Sequence, residues 1–208
     1  MKKRIHFVSY GDSNNDHVAS IKKVLDAGID LVQLRIKNRT DAACYDQALK
    51  VKNLCKSYGA QLVLNDRVLL SNKLEIGAVH LGQNDMAILK ARDILGESSY
   101  IGGTANTLDQ MIRLSEEGVD YIGLGPYRFT KTKENLSPIL GHKGIEDKLN
   151  AFQAKGHNVP VYIIGGIVES DFGIIATLPI AGIAVSSLFE DKSIKEIEVL
   201  KQNFEKGI

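Results

Sequence analysis

"AGIDLVQLR", residues 27–35, places a Gly before a short apolar run that ends in polar side chains. The same order returns in "YGAQLVLND" (58–66), "IGAVHLGQ" (76–83), "EGVDYIGLG" (117–125) and "AGIAVSS" (181–187). Similar apolar runs occur in "RIHFVSYGD" (4–12), "YIGGTAN" (100–106) and "VPVYIIGG" (159–166). Runs this short and rich in Val, Ile, Leu and Tyr are typical of strands covered on both faces. The sequence therefore predicts eight strands.

Helical patterns separate several of these runs. Residues 41–58 carry an apolar stripe that includes Tyr58 and ends before Gly59, and residues 107–117 carry another that ends before Gly118. The interval 68–77 leaves room only for an abbreviated helix. Cys44 and Cys55 lie on one face of the first helix, about three turns apart, so we expect two unpaired core cysteines.

Alternating strands and helices are compatible with a (β/α)₈ TIM barrel or with a doubly wound open sheet. In an open sheet, only the strands beside the topological switch point supply a site. Here every strand except the first is expected to contribute residues at its carboxyl end, so we predict a closed α/β barrel. No linker divides the chain, which indicates a single TIM-barrel domain over residues 1–208. The residues that follow strands two to eight are Arg35 and Lys37, Asn65 and Asp66, Gln83 and Asp85, Thr104 and Asn106, 130–133, Gly165 and Gly166, and Ser186 and Ser187.

The composition excludes several classes of partner. Hydrophobic residues make up 44% of the 208 residues and charged residues 25%, with a formal net charge of +1. Such a balance does not favour nucleic acid or an anionic membrane, and any anion binding must be local. The basic start precedes too short an apolar run for a signal peptide, and no stretch would span a bilayer. We expect a cytoplasmic protein; whether it forms a homo-oligomer stays open.

Two carboxylates follow neighbouring strands. Asp66 ends "LND" and Asp85 ends "HLGQND", so both belong to the same rim of a barrel. Two carboxylates together with water and a substrate phosphate are a usual way to hold Mg²⁺. The alternative is structural: Asp66 pairs with Arg67 in a turn, and Asp85 caps a helix that begins at Met86.

The second strand ends in alternating polar residues. Gln33, Arg35 and Lys37 point the same way while strand geometry lasts. Arg and Lys together suit a pyrophosphate, and the Gln amide can both donate to and accept from a heteroaromatic ring edge. The alternative is a salt bridge from these cations to Asp66 or Glu75.

The last two strands end in small residues. Gly165 and Gly166 would let backbone amides approach a ligand, and Ser186 and Ser187 precede a segment that suits a one-turn helix. Many barrels bind a phosphate here, although a Gly pair is also the mark of a tight turn. Among the five histidines, His80 is expected to be a packed or second-shell residue, and no Ser/His/Asp order stands out.

The motifs together resemble the thiamine phosphate synthase family. They are "VQLRIK", "LNDR", "VHLGQND", "IGGTAN", "YIGLGPYRFTKTK", "IIGGI" and "IAVSS", in the family's order from Val32 to Ser187. The resemblance implies a (β/α)₈ barrel that joins 4-amino-2-methyl-5-hydroxymethylpyrimidine pyrophosphate to a thiazole phosphate, with Mg²⁺ as cofactor. The implied chemistry is dissociative: pyrophosphate leaves first, and the thiazole nitrogen then attacks the pyrimidine cation. An enzyme of this kind needs no obvious general base.

The resemblance also implies a role for each motif residue. Asp66 and Asp85 would hold Mg²⁺, and Gln33 would bind the pyrimidine. Lys131 would face solvent. The implied pyrophosphate ligands are Arg35, Lys37, Asn65, Lys133 and Thr104, with Thr104 standing where the family usually has serine. The implied ligands of the thiazole phosphate are Thr130, Thr132, Gly165, Gly166, Val185 and Ser186.

Two further departures from the family pattern leave choices open. The "GIAVSSL" turn is one residue shorter than the common form, so either Ser186 or Ser187 could be the phosphate ligand. Arg128 stands where a small or apolar residue is usual, and either contacts a phosphate or faces solvent.

Three other functions fit the sequence less well than the synthase. A thiazole tautomerase on the same barrel has a histidine where this chain has Pro126, and it has no use for a metal pair. A non-catalytic binder should have lost some of Asp66, Asp85 and Lys133. Isomerases of the indole-glycerol-phosphate or phosphoribosyl type need a facing acid and base, and no such pair is evident.

Overall fold

A computed structural model describes residues 3–11, 14–129 and 138–207. Eight parallel strands form a closed barrel in sequence order, and β1 pairs with both β2 and β8. The TIM barrel predicted from the polar strand ends is therefore confirmed, and the open sheet is excluded. The strands are β1 (Arg4–Val8), β2 (Leu31–Leu34), β3 (Gln61–Asn65), β4 (Ala78–Leu81), β5 (Tyr100–Ala105), β6 (Tyr121–Leu124), β7 (Val161–Ile164) and β8 (Gly182–Val185).

A helix follows every strand along the chain. Single 3₁₀ turns, Glu169–Asp171 and Ser187–Phe189, precede the last two helices. The short α3 meets the expectation of an abbreviated crossover after β3. The helices are α1 (Asn14–Asp26), α2 (Asp41–Ser57), α3 (Val68–Lys73), α4 (Ile88–Leu95), α5 (Leu108–Glu116), α6 (Gly141–Ala154), α7 (Phe172–Ile175) and α8 (Ile194–Lys206).

Helix α2 illustrates how local sequence defines an element. The Thr40 hydroxyl accepts a hydrogen bond from the Ala43 N–H at 3.3 Å and caps the first turn. Gly59 ends the helix at φ +64°, a conformation that favours glycine. Both cysteines of the helix are buried and unpaired, as expected. Tyr58 does not continue the buried stripe: it is 42% exposed and follows the last helical residue.

The barrel interior is polar and aromatic. Strand residues alternate between the interior and the helical layer, and the second set, with the inner faces of the helices, forms the larger apolar core. Inside, the ring of Tyr121 stacks on His80 and Tyr100 at centroid distances of 5.4 and 5.1 Å. It meets His6 and Tyr162 edge to face. Tyr121 is 1% exposed, so this cluster fills the barrel beneath its upper rim.

A glycine on β5 makes room for that ring. A Cβ at Gly102 would lie 2.0 Å from Cζ of Tyr121, far inside contact distance. Because the aromatic neighbours hold the ring on its other sides, it has no direction in which to move.

None of the helices in the described ranges is long and apolar enough to cross a membrane.

We expect Gly102→Ala to lower the free energy of unfolding by about 1–3 kcal/mol, since overpacking forces backbone or ring displacement. Urea unfolding followed by circular dichroism measures the change. The matched control is Gly173→Ala on α7, where a Cβ meets no atom within 4 Å. Equal stabilities for the two variants would contradict the assignment of Gly102 to the packing of Tyr121.

Candidate active site

One cavity opens at the carboxyl ends of the strands, where parallel geometry brings all eight loops together. Thr130, Thr132 and Lys133 lie outside the described residues, as does Lys131. Every other site residue expected from the sequence lines this cavity. They are Gln33, Arg35, Lys37, Asn65, Asp66, Asp85, Thr104, Gly165, Gly166, Val185 and Ser186.

The end of β2 is held by the end of β1. The Ser9 hydroxyl accepts a hydrogen bond from the Arg35 N–H at 3.0 Å and contacts His17 Nδ1 at 2.9 Å. Val8 lines the cavity. The expectation that the first strand contributes nothing is therefore wrong, because Ser9 acts through the backbone of Arg35. Gln33, 4% exposed, lies with its amide nitrogen 3.5 Å from Nε2 of His6.

Asp66 forms an ion pair with Lys37 across the β2 and β3 loops. The salt bridge considered for Lys37 thus exists, and it is located inside the cavity. Asp66 has φ +64°, which is unusual for a residue other than glycine. A strained conformation of this kind persists only where the surroundings impose it, and such residues cluster at functional sites.

Arg67, the next residue, joins the same two loops. Its guanidinium donates to the carbonyls of Ile36 and Arg39, both at 2.8 Å, and pairs with Asp41 at 2.6 Å. The alternative in which Asp66 pairs with Arg67 is therefore wrong. Arg67 instead fixes the loop that carries Lys37 against the loop that carries Asp66.

Asp85 turns back toward its own strand. Its carboxylate accepts a hydrogen bond from the Gly82 N–H at 2.6 Å, and α4 begins only at Ile88, so Asp85 is not a helix cap. Burial, followed by the neighbouring Asp66 carboxylate, raises the pKa of Asp85. Two carboxylates this close repel one another, and a cation between them relieves the repulsion.

Asn65 supplies an unused donor to the same region. It is 6% exposed, and its side-chain nitrogen has no hydrogen-bond partner among the described residues. A buried amide donor without an acceptor is costly. Because Asn65 lines the cavity beside Asp66, a bound anion would satisfy that donor.

His80 is packed in the barrel, as expected, and also reaches the cavity wall. Its Nδ1 lies 3.0 Å from the Tyr121 hydroxyl, and its Nε2 lies 2.9 Å from Oγ1 of Thr104. The amide of Gln83 donates to the carbonyl of Thr104. Thr104 is thus held through both its side chain and its backbone.

The glycine pair after β7 packs against the loop after β6. A Cβ at Gly165 would lie 2.9 Å from Pro126, and one at Gly166 would lie 2.6 Å from the Phe129 carbonyl oxygen. Their φ values of +101° and +68° also favour glycine. Both residues line the cavity, but the steric demand for glycine comes from the β6 loop, which the sequence did not indicate.

Arg128 joins this contact. Its backbone N–H donates to the Gly165 carbonyl at 2.9 Å, and its guanidinium forms an ion pair with Asp171 at 2.7 Å. The side chain therefore braces the β6 and β7 loops, a role that neither expectation for Arg128 included.

Ser186 and Ser187 both line the cavity, at the 3₁₀ turn that follows β8, so the structure favours neither as the phosphate ligand.

A family model described as "Thiamine monophosphate synthase" matches residues 5–189. The chain belongs to this family. The "Thiamine-phosphate synthase" of Flavobacterium johnsoniae is 40% identical over 203 residues, covering 98% of this chain and 96% of that protein. That of Bacteroides fragilis is 42% identical over 182 residues, covering 88% and 89%.

A solved structure agrees in fold. It is titled a thiamine phosphate pyrophosphorylase from Pyrococcus furiosus and superposes with a TM-score of 0.85, covering 100% of this chain and 98% of its own. At 24% identity this likeness concerns the barrel alone. This member of the thiamine monophosphate synthase family therefore has a TIM barrel, and its polar site residues lie at the carboxyl ends of the strands.

Several residues that shape the site were missed by the sequence analysis. They are Ser9, His17, Arg67 and Asp171, which act on neighbouring loops through hydrogen bonds. The "LNDR" motif contains Arg67, so the family resemblance could have drawn attention to it. Ser9, His17 and Asp171 belong to none of the motifs, and the loop partners of Ser9 and Asp171 lie 26 and 43 residues away in the chain.

The stability of the barrel should fall in acid through His6. Burial, followed by electrostatic interactions with the neighbouring His80 and Arg4 side chains, lowers the pKa of His6 from 6.5 to about 3. Below pH 6.5 the unfolded chain therefore binds a proton that the native protein does not, and acidification favours unfolding. Relative to His6→Gln, the wild type should lose about 1.4 kcal/mol per pH unit below its unfolded pKa.

Urea unfolding at pH values from 8 to 4.5 tests this prediction, about pH 8 serving as the baseline at which His6 is neutral in both states. The baseline removes any constant packing difference between the two proteins. Parallel stability profiles for the wild type and the variant would contradict a His6 that stays neutral in the native barrel.

Proposed function

We propose that this chain is a thiamine-phosphate synthase. It condenses 4-amino-2-methyl-5-hydroxymethylpyrimidine pyrophosphate with a thiazole phosphate and releases pyrophosphate. The observation that carries the proposal is the cavity at the carboxyl ends of the strands, whose lining includes Asp66, Asp85, Arg35, Lys37 and Gln33. Membership of the family supports the same reaction.

The pyrophosphate is assigned to the side of the cavity formed by β2, β3 and β5. Arg35 and Lys37 supply positive charge, and Asn65 supplies an amide donor that has no partner among the described residues. The Thr104 hydroxyl completes this set. Lys133 is assigned here too, from the family motif. Donors and cations aimed at a leaving group stabilise the charge that develops on it.

Asp66 and Asp85 would hold Mg²⁺. Burial, followed by the neighbouring Asp66 carboxylate, raises the pKa of Asp85, and the Lys37 ammonium lies against Asp66. Both observations support a cation at this position. Oxygen ligands from carboxylates, water and phosphate suit Mg²⁺. The ion would supply positive charge beside the pyrophosphate, and Lys37 would supply a second positive charge to the leaving group.

The pyrimidine and thiazole occupy the rest of the cavity. Gln33 lies deeper than the cations and is assigned to the pyrimidine ring edge. The thiazole phosphate is assigned to the opposite side, with Gly165, Gly166, Val185 and Ser186. Thr130 and Thr132 join it from the family motif.

The proposed reaction is a dissociative substitution. The bond between the pyrimidine methylene carbon and the pyrophosphate oxygen breaks, and its electron pair leaves with pyrophosphate. The electron-rich aminopyrimidine stabilises the remaining cation, and the thiazole nitrogen lone pair forms the new carbon–nitrogen bond. Neither step requires proton transfer, so orientation and charge stabilisation by the residues above supply the rate enhancement.

The purified protein, mixed with both substrates and Mg²⁺, should form thiamine phosphate at a steady rate. The product is measured as fluorescent thiochrome after oxidation. A mixture that lacks protein and one that contains EDTA are the controls. Folded protein that yields no product above these controls would overturn the proposed function.

Asp85→Asn should abolish turnover while leaving the barrel as stable as the wild type or more stable, because the change removes the repulsion from Asp66. Mg²⁺ should raise the melting temperature of the wild type and not that of the variant. Asp93→Asn, an exposed carboxylate on α4, is the matched control. A normal response of Asp85→Asn to Mg²⁺ would exclude Asp85 as a metal ligand.

A further inference from the structure

We propose that Tyr121 and His80 are positioning residues that orient the Thr104 hydroxyl so that its only proton points into the cavity. This inference rests on the proposed function, in which Thr104 contacts the pyrophosphate. It adds a direction to that contact: Thr104 serves as a hydrogen-bond donor to the leaving group and not as an acceptor.

A chain of hydrogen bonds crosses three neighbouring strands. The Tyr121 hydroxyl on β6 lies 3.0 Å from His80 Nδ1 on β4, and His80 Nε2 lies 2.9 Å from Thr104 Oγ1 on β5. The chain runs from the barrel interior, where Tyr121 is 1% exposed, to the cavity wall formed by Thr104.

The buried end of this chain determines the direction of every proton in it. Among the described residues, the Tyr121 hydroxyl has no acceptor besides His80 Nδ1. If Nδ1 carried a proton, the Tyr121 proton would be buried without an acceptor, which is costly. Tyr121 therefore donates to Nδ1, and burial, which raises the pKa of Tyr121 far above its usual value, keeps that proton in place.

With Nδ1 accepting from Tyr121, the imidazole carries its proton on Nε2 and donates it to Thr104 Oγ1. No other described side chain bonds to that oxygen. The hydroxyl proton of Thr104 cannot point back toward a ring nitrogen that is itself a donor, so it points toward the cavity. A pyrophosphate oxygen is the kind of acceptor that fits this position.

Packing holds the imidazole in one orientation. Its face stacks on Tyr121 with centroids 5.4 Å apart, and a Cβ at Gly123 would lie 3.2 Å from its Cε1. Turning the ring over would place carbon atoms where both nitrogens now bond. The aromatic cluster inside the barrel thus serves the cavity as well as the core.

A double-mutant cycle tests the proposal. We expect Thr104→Val to lower kcat about a hundredfold and Tyr121→Phe about tenfold, with little change in the KM of the thiazole phosphate. In the Thr104→Val background, Tyr121→Phe should change kcat by less than about twofold, since its effect passes through the lost hydroxyl. Tyr162→Phe, a buried neighbour with no bond to His80, is the matched control and should retain the wild-type kcat.

Equal losses from Tyr121→Phe in both backgrounds would indicate a purely structural role and overturn the inference. An unchanged kcat in the Tyr121→Phe single variant would overturn it as well. If the wild type itself forms no thiamine phosphate, the proposed function fails first, and a measurement that does not depend on turnover decides the inference.

That measurement is the ¹⁵N spectrum of histidine-labelled protein, with the His80 signals assigned by their loss in His80→Gln. The expected spectrum has a proton on Nε2 and none on Nδ1 in the wild type. In Tyr121→Phe, this single tautomer should give way to a mixture. A wild-type His80 with its proton on Nδ1 would overturn the inference whatever the activity.

Discussion

The hydrogen bonds between β1 and β8 are the constraint on which the site depends. They close the sheet, and because every strand is parallel to its neighbours, all eight carboxyl ends meet at one rim. Residues as far apart in the chain as Gln33 and Ser186 line one cavity for this reason. In an open sheet, most of these polar strand ends would lie too far from one another to act together.

Closure also creates an interior that has to be filled. This chain fills it with tyrosine and histidine rings, and it accommodates the central ring with a glycine at position 102. Burying polar rings is costly unless their polar atoms form hydrogen bonds. In this barrel the buried rings therefore form hydrogen bonds that reach the residues at the rim. Core packing and the orientation of cavity residues are therefore linked, because His80 takes part in both.

Much of this arrangement was predictable. The alternation of short apolar runs with helical stripes predicted the strands and the crossovers, and the polar residues at the strand ends predicted the closed barrel. Polar residues immediately after strands identified the cavity lining, because strand ends have a known position in this fold. The contacts that hold neighbouring loops together were not predictable. They are those of Arg67 with Asp41, Arg128 with Asp171, and Ser9 with Arg35. Ion pairs and hydrogen bonds between distant loops leave no periodic pattern in a sequence.

By itself, the sequence determined the fold class, the family and many of the polar residues that line the cavity, since each follows from local order or from motifs. The tertiary structure alone decided which of those residues touch. It paired Asp66 with Lys37 rather than with Arg67, and it turned Asp85 back to Gly82 rather than onto a helix. It also assigned the steric need for Gly165 and Gly166 to the β6 loop. The physical reason is that hydrogen bonds and steric contacts depend on distances in space, whereas a sequence specifies only order along the chain.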